Sequence, residues 1–300
     1  MTFAKQNSKI PEGINTSQEH PFKDFLLLFS GISGLIAITV VLLVLFAQSL
    51  SSYIPFEYEE KLSGIYEKVL EELSTPEMET NVETYLDAEI AIQELGAALS
   101  INADLPQNIT IKFNLVSQSN IPNAFATLGG HIFITTGLLN QVSSENALSM
   151  VIAHEIAHVK YRHPIQALSS GLFIELVLGV VLGGQDSAAI QSLFGQTSLI
   201  TLLSFNRDME LEADSAAHHM LIERYGHLYN ADEFFVKMAE LGNKSGWKEV
   251  FQTHPDVEKR IEKLNNKKHP SSFQEIITAT PLDSRILKLI GSQDGRVIDL

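Results

Sequence analysis

The pentapeptide His154-Glu155-Ile156-Ala157-His158 decides how the rest of this 300-residue chain is read. It lies within a stretch from Ser143 to about Tyr161 whose apolar residues recur at helical spacing, with Ser143 or Ser144 placed to cap its start. His163-Pro164 is expected to end that helix, because proline lacks the N–H and clashes with the preceding turn. Positions i and i+4 share one helical face, so the imidazoles of His154 and His158 can reach a single ion. Glu155 projects beside that ion, where its carboxylate can take a proton from a water that a divalent metal has made acidic.

An open-sided catalytic zinc takes three protein ligands and keeps one position vacant. The chain has no cysteine, so any metal must sit on His, Asp or Glu. The next candidate is Arg207-Asp208-Met209-Glu210-Leu211-Glu212-Ala213-Asp214, within a predicted helix from about Ser204 to Tyr225. Glu210 and Asp214 are again i and i+4. Glu210 is expected to bind the metal, while Asp214, one turn on, hydrogen-bonds the outer nitrogen of a ligating histidine. Glu212 lies about 200° around the helix from Glu210, so both cannot face the metal. The expectation is therefore one Zn2+ per chain on His154, His158 and Glu210, with Glu155 as base. His163, His218 and His219 read as structural or exposed.

These residues resemble a known family. His154-Glu155-Ile156-Ala157-His158 followed by Glu210-Leu211-Glu212-Ala213-Asp214 is similar to the gluzincin zinc metallopeptidases that include the CAAX prenyl proteases and the HtpX-type and BepA-type peptidases. Asn123-Ala124-Phe125-Ala126, Gly129-Gly130-His131-Ile132-Phe133-Ile134 and His254-Pro255 with Arg260-Ile261 resemble further motifs of that family, in the same order. The resemblance covers about residues 60–266. It implies a zincin-like domain, mainly α with a small β-sheet (α+β), built around the active-site helix. It also implies an endopeptidase acting on unfolded or misassembled membrane or exported proteins.

The extra motifs gain expected roles from the resemblance. His131, Ile132, Phe133 and Ile134 are expected to form a strand; as an edge strand it would bind an extended peptide through its main chain, and as an internal strand it would not. His254 either donates to the oxyanion formed on the scissile carbonyl or fills the open metal position in a latent state. Arg260 anchors the acidic residues around the metal or the substrate.

Phe25 to Ala47 is a run of 23 uncharged residues. As a helix it covers about 34 Å, enough for a hydrocarbon core of roughly 30 Å. A cleaved signal peptide has a shorter apolar region, so a retained anchor in membrane lipid is expected, in the layout of BepA-like exported members rather than the multi-span ones. Lys5, Lys9 and Lys23 precede the span and no Lys or Arg follows until Lys61, which places the N-terminus in the cytoplasm and the catalytic domain on the outer, periplasmic side of a single-pass protein.

The expected organisation is a flexible tail (1–24), the anchor (25–47), a helical lead-in (48–105), a metallopeptidase core (106–268) and a C-terminal extension (269–300). Helices are expected at 56–74, 79–100, 231–241 and 255–266, and a strand over 108–116. Residues 165–204 are largely apolar and are uncharged apart from Glu175 and Asp186; they read as a buried helical hairpin or as a pair of membrane-dipping helices. A net charge of −15 argues against nucleic acid, whose phosphates need a basic face.

Two function classes fit. One is a polypeptide-cleaving zinc enzyme. The other is a chaperone-like scaffold that binds extended chains and keeps a closed metal site, with His254 as fourth ligand, for structure or latency. The enzyme is favoured, because a structural site has no use for a carboxylate such as Glu155 beside the metal.

Overall fold

A computed structural model describes residues 20–51, 53–64, 81–118, 120–169, 205–241, 254 and 278–293. The tail over 1–19, the expected helix beyond Gly64, the apolar stretch beyond Ser169 and the 255–266 helix with Arg260 lie outside the described residues. The chain divides into two compact units, Met1–Leu43 and Val44–Leu300. The first helix, α1 (Pro21–Ser51), is long and apolar enough to cross a membrane. Its large side chains, Phe25, Leu28, Leu35 and Phe46 among them, are exposed, as hydrocarbon contact requires.

The second unit is mostly helical with one small mixed sheet, the α+β zincin-like layout expected. Its elements are α2 (Phe56–Ser63), α3 (Val82–Ser100), β1 (Lys112–Val116), β2 (Ala124–Ala126), a 3-10 turn (Leu128–Gly130), β3 (His131–Thr135), α4 (Thr136–Leu139), α5 (Glu145–Lys160), α6 (Arg207–Tyr225), α7 (Glu233–Leu241) and α8 (Ser284–Gln293). Strand β1 is shorter than the expected 108–116, because Ile109 closes a turn onto Pro106.

The sheet order is β1-β3-β2, with β1 parallel and β2 antiparallel to β3. This corrects the edge-strand expectation for His131–Ile134: β3 is hydrogen-bonded on both sides and has no free edge for a peptide. The β2–β3 turn explains the glycine pair. Gly129 and Gly130 have φ of 71° and 76°, and a Cβ on Gly130 would stand 2.0 Å from the Thr110 carbonyl oxygen.

The far side of β1 is closed by one face of α3. Tyr85 Oη donates to the Leu115 carbonyl over 2.7 Å, Leu115 N–H donates to Glu89 Oε1 over 3.2 Å, and Gln93 Nε2 donates to the Phe113 carbonyl over 3.4 Å. These three side chains recur every four residues, the spacing that lines them up on one helical face. Among the described residues, β2 therefore carries the open edge of the sheet, and β2 packs against α5.

Helix α5 is buried on every side, with each residue from Asn146 to Val159 inside, as a helix through a core must be. Ser144 caps it, accepting from the Ala147 N–H over 3.1 Å. Around it one cluster joins Leu148, Ile152 and Ile156 to Met220 and Leu221 of α6, Ile92 and Leu99 of α3, Ile132 and Ile134 of β3, and Ile286 and Leu289 of α8. Each such side chain contributes about 1.5–3 kcal/mol on burial. The lead-in and C-terminal residues thus share the core with the central segment.

Past α5 the chain reverses at Arg162, whose φ is +61°. The Arg162 guanidinium donates to the Ile54 carbonyl and to Glu59 of α2, from Nε to Oε1 over 2.7 Å. Burial pushes the Glu59 carboxyl up, while Arg162 pulls it back toward the charged form. The same reversal carries His163 back toward α5, with Pro164 in the first turn of a short helix over 163–169.

Candidate metal centre

His154 and His158 come one turn apart on α5, as the pentapeptide requires, and turn Nε2 atoms toward each other at 2.9 Å. Helix α6 brings the carboxylate. Asn206 caps it, accepting from the Asp208 and Met209 N–H groups, and sets Glu210 in its first turn. Glu210 Oε2 is 3.4 Å from His154 Nε2, and Oε1 is 3.4 Å from His158 Nε2. All three side chains are buried.

The hydrogen bonds behind these atoms fix what lies between them. His154 Nδ1 is 3.0 Å from Asp214 Oδ1, so Nδ1 carries the proton and Nε2 keeps a bare lone pair. His158 Nδ1 is 2.8 Å from His163 Nδ1, and His163 Nε2 is 3.3 Å from Glu212 Oε2. Burial holds His163 down to about 4, so it is neutral at pH 7. A neutral ring that donates to Glu212 from Nε2 accepts at Nδ1. His158 therefore donates from Nδ1, and its Nε2 is also bare. Two lone pairs and a carboxylate converge with no proton between them, an arrangement that a cation satisfies.

The spacing suits zinc. Ligand nitrogens about 2.0–2.1 Å from a tetrahedral ion stand roughly 3.3 Å apart, and the separations here run from 2.9 to 3.4 Å. His254 completes a set of four side chains, His154, His158, Glu210 and His254, whose ligand atoms lie within 4.8 Å of one another. Its Nδ1 is 3.1 Å from Glu210 Oε1 and its Nε2 is 3.7 Å from Glu155 Oε1.

Glu155 is buried beside this set. Its Oε2 accepts the Ala126 N–H over 2.8 Å. Burial pushes its carboxyl up; the imidazoles of His254 and His154 and the Ala126 N–H oppose that, while Glu210 adds to it. The Ala126 bond also orients β2. Pairing alternates along an antiparallel ladder, and Thr127 N–H donates to the His131 carbonyl while Thr135 N–H donates to the Asn123 carbonyl. The polar groups of Ala124 and Ala126 therefore point away from β3, toward the site. A small cleft there is lined by Asn123, Ala124, Val151, Phe234, Phe235 and Met238.

The model for Peptidase family M48 matches residues 87–268, more than half of the chain. The chain belongs to peptidase family M48. M48 peptidases use zinc, and the donor set described above fits that metal. Relatives carry matching names. A mitochondrial metalloendopeptidase OMA1 of Schizosaccharomyces pombe is 29% identical over 144 residues, 48% of this chain and 42% of its own. A beta-barrel assembly-enhancing protease of Yersinia pestis is 31% identical over 221 residues, 68% of this chain and 44% of its own. A protease HtpX homolog of Campylobacter hominis is 26% identical over 197 residues, 53% of this chain and 70% of its own. The M48 chain thus spans less than half the length of the first two.

The M48 site brings together His154, Glu155, His158, Glu210, Asp214 and His254. It does not bring in His131–Ile134 as a free strand, and Arg260 lies outside the described residues. Two contributors were missed from sequence. His163, read only as structural or exposed, is buried against His158. Phe205 stacks on the His158 ring with centroids 3.9 Å apart. The available signal for His163 was its place just beyond the helix end, where a chain reversal returns it to the metal face.

Proposed function

We propose that this chain is a membrane-anchored zinc endopeptidase that hydrolyses peptide bonds of unfolded or misassembled proteins, with Glu155 as the proton carrier. The observation that carries this reading is the buried Glu155 carboxylate, held by Ala126 N–H on one oxygen and turned toward the metal set with the other. When bound, zinc acts as a Lewis acid that polarises the scissile carbonyl and lowers the pKa of water from 15.7 to about 7. Glu155 takes the proton of the attacking water and hands it to the leaving amine. His154, His158 and Glu210 would hold the zinc; Asp214 keeps the His154 ring oriented, and the Glu210 carboxylate balances the charge.

Substrate binds as an added strand on β2. The outward N–H and C=O of Ala124 and the C=O of Ala126 meet main chain, the Ala126 N–H being held by Glu155, which suits a protease that reads unfoldedness rather than sequence. The cleft walled by Phe234, Phe235 and Met238 receives an apolar side chain. The N-terminus is cytoplasmic and the catalytic unit lies outside, on the strength of Lys5, Lys9 and Lys23. The process served is envelope protein quality control. The test is the full chain in detergent, assayed on an unfolded substrate such as casein. Glu155→Gln should abolish cleavage while zinc content holds, and unchanged cleavage would overturn the mechanism.

A second reading keeps its place because His254 gives the metal a fourth donor. A closed four-donor set is the pattern of a structural site. In the enzyme reading the same contact is a latent state from which His254 withdraws. A scaffold would bind unfolded chains without cleaving them, with or without His254.

A further inference from the structure

The two histidines of the metal set are backed by different partners. His154 Nδ1 meets the Asp214 carboxylate directly, over 3.0 Å. His158 Nδ1 instead meets a second imidazole, His163 Nδ1, over 2.8 Å, and the far nitrogen of that ring lies 3.3 Å from Glu212 Oε2. We propose that His163 is a positioning residue for His158, relaying the Glu212 carboxylate to the metal ligand so that its Nε2 lone pair stays free for zinc. This rests on the reading that His154, His158 and Glu210 hold the metal.

The chain of donors has one consistent direction. Glu212 only accepts, so His163 Nε2 donates to it. A His158 that turns Nε2 to the metal carries its N–H on Nδ1, so His158 Nδ1 donates and His163 Nδ1 accepts. The His158 ring is also fixed in orientation, clamped between the Phe205 face at 3.9 Å and the His163 edge at 4.9 Å. His163 in turn stacks on Tyr161, with centroids 5.7 Å apart.

Burial explains why the backing is indirect. His163 is 1% exposed, while the Glu212 side chain is 52% exposed. Glu155, Glu210 and Asp214 are already buried here. A further carboxylate placed directly on His158 would add another desolvated anion to that group, at a cost that one cation does not offset. The imidazole spacer leaves the anion at the surface and still orders the ligand. It also gives a reason for Glu212, which faces away from the metal yet sits between Glu210 and Asp214 on the same helix.

The experiment measures zinc affinity of the full-length chain in detergent, by competition against a fluorescent zinc chelator. His163→Phe keeps a ring for Tyr161 and Phe205 but removes both nitrogens; His163→Asn puts a carbonyl oxygen near the position of Nδ1. Loss of such an orienting partner costs about 10–100-fold in metal affinity. The expected result is that loss for His163→Phe, with His163→Asn recovering most of it. Glu212→Gln, at a half-exposed position where folding is not at stake, should weaken zinc several-fold on its own. Wild-type affinity in His163→Phe, equal losses in the Phe and Asn variants, or no change in Glu212→Gln would overturn the relay. A wild-type chain that binds no zinc would instead overturn the metal reading beneath it.

Discussion

Ala126 donates its backbone N–H to Glu155 Oε2 over 2.8 Å, so the carboxylate beside the metal set is held by the open edge strand of the sheet. The contact spans 29 residues of sequence and joins β2 to α5. Strand β2, Glu155 and the metal set are thereby linked, and on the proposed reading substrate main chain arriving on β2 is brought to Glu155 by the same edge.

The reach of Glu155 is set by that bond. Glu155→Asp keeps the charge but withdraws the carboxylate by one methylene, so it cannot serve both Ala126 N–H and the metal side. Its kcat on casein should fall about 10²-fold or more. Zinc content should stay at the wild-type level, which separates a misplaced base from a lost metal.

His254 supplies a prediction whose sign discriminates. If it closes the fourth position in a latent state, His254→Ala raises basal cleavage; a tenfold rise corresponds to about 1.4 kcal/mol of closed-state preference removed. If it serves the oxyanion, the same substitution lowers kcat. A scaffold shows no cleavage either way.

Arg162 and Glu59 tie the end of α5 to α2. Arg162→Met leaves Glu59 buried without its partner and should cost about 3–5 kcal/mol, seen as a lowered Tm. The double variant Glu59→Leu, Arg162→Met should recover most of that loss, since no buried charge remains. Equal Tm values for the single and double variants would contradict the pairing.

Much of the metal centre was legible because it obeys helical periodicity. His154 and His158 on α5, then Glu210 and Asp214 on α6, are each one turn apart, and that spacing alone puts each pair on one face. His163 was not legible: it sits five residues after His158, off that face, and reaches the ligand only because Arg162 adopts a positive φ. Strand order was not legible either. Whether β3 is central depends on β1 joining it across a long separation, and β2, with three residues, is too short to carry an alternation of its own. The lead-in helix α3 gave a helical pattern while the mixed last thirty residues gave none for α8, and only the packed core shows that both helices close on the site-bearing one.

Glu233 contributes to stability on the acid side. Burial raises its carboxyl, but the Ser143 hydroxyl and N–H and the Lys237 ammonium outweigh that and hold it below the usual carboxylate range. A lowered folded value means the unfolded chain takes the proton first, so the contribution is present above the unfolded value and is lost as pH falls through the folded one. Glu233→Gln should therefore be less stable than wild type near neutrality. The gap in Tm should narrow between about pH 6 and pH 3.

The most direct measurement is zinc content against casein cleavage for the full-length chain, before and after exhaustive chelation and after zinc is restored. The account predicts one zinc per chain in the wild type, none in a variant carrying His154→Ala and Glu210→Ala, loss of cleavage with loss of metal, and recovery on adding zinc back. Cleavage that persists in metal-free protein, or full zinc retention once His154 and Glu210 are removed, would contradict it.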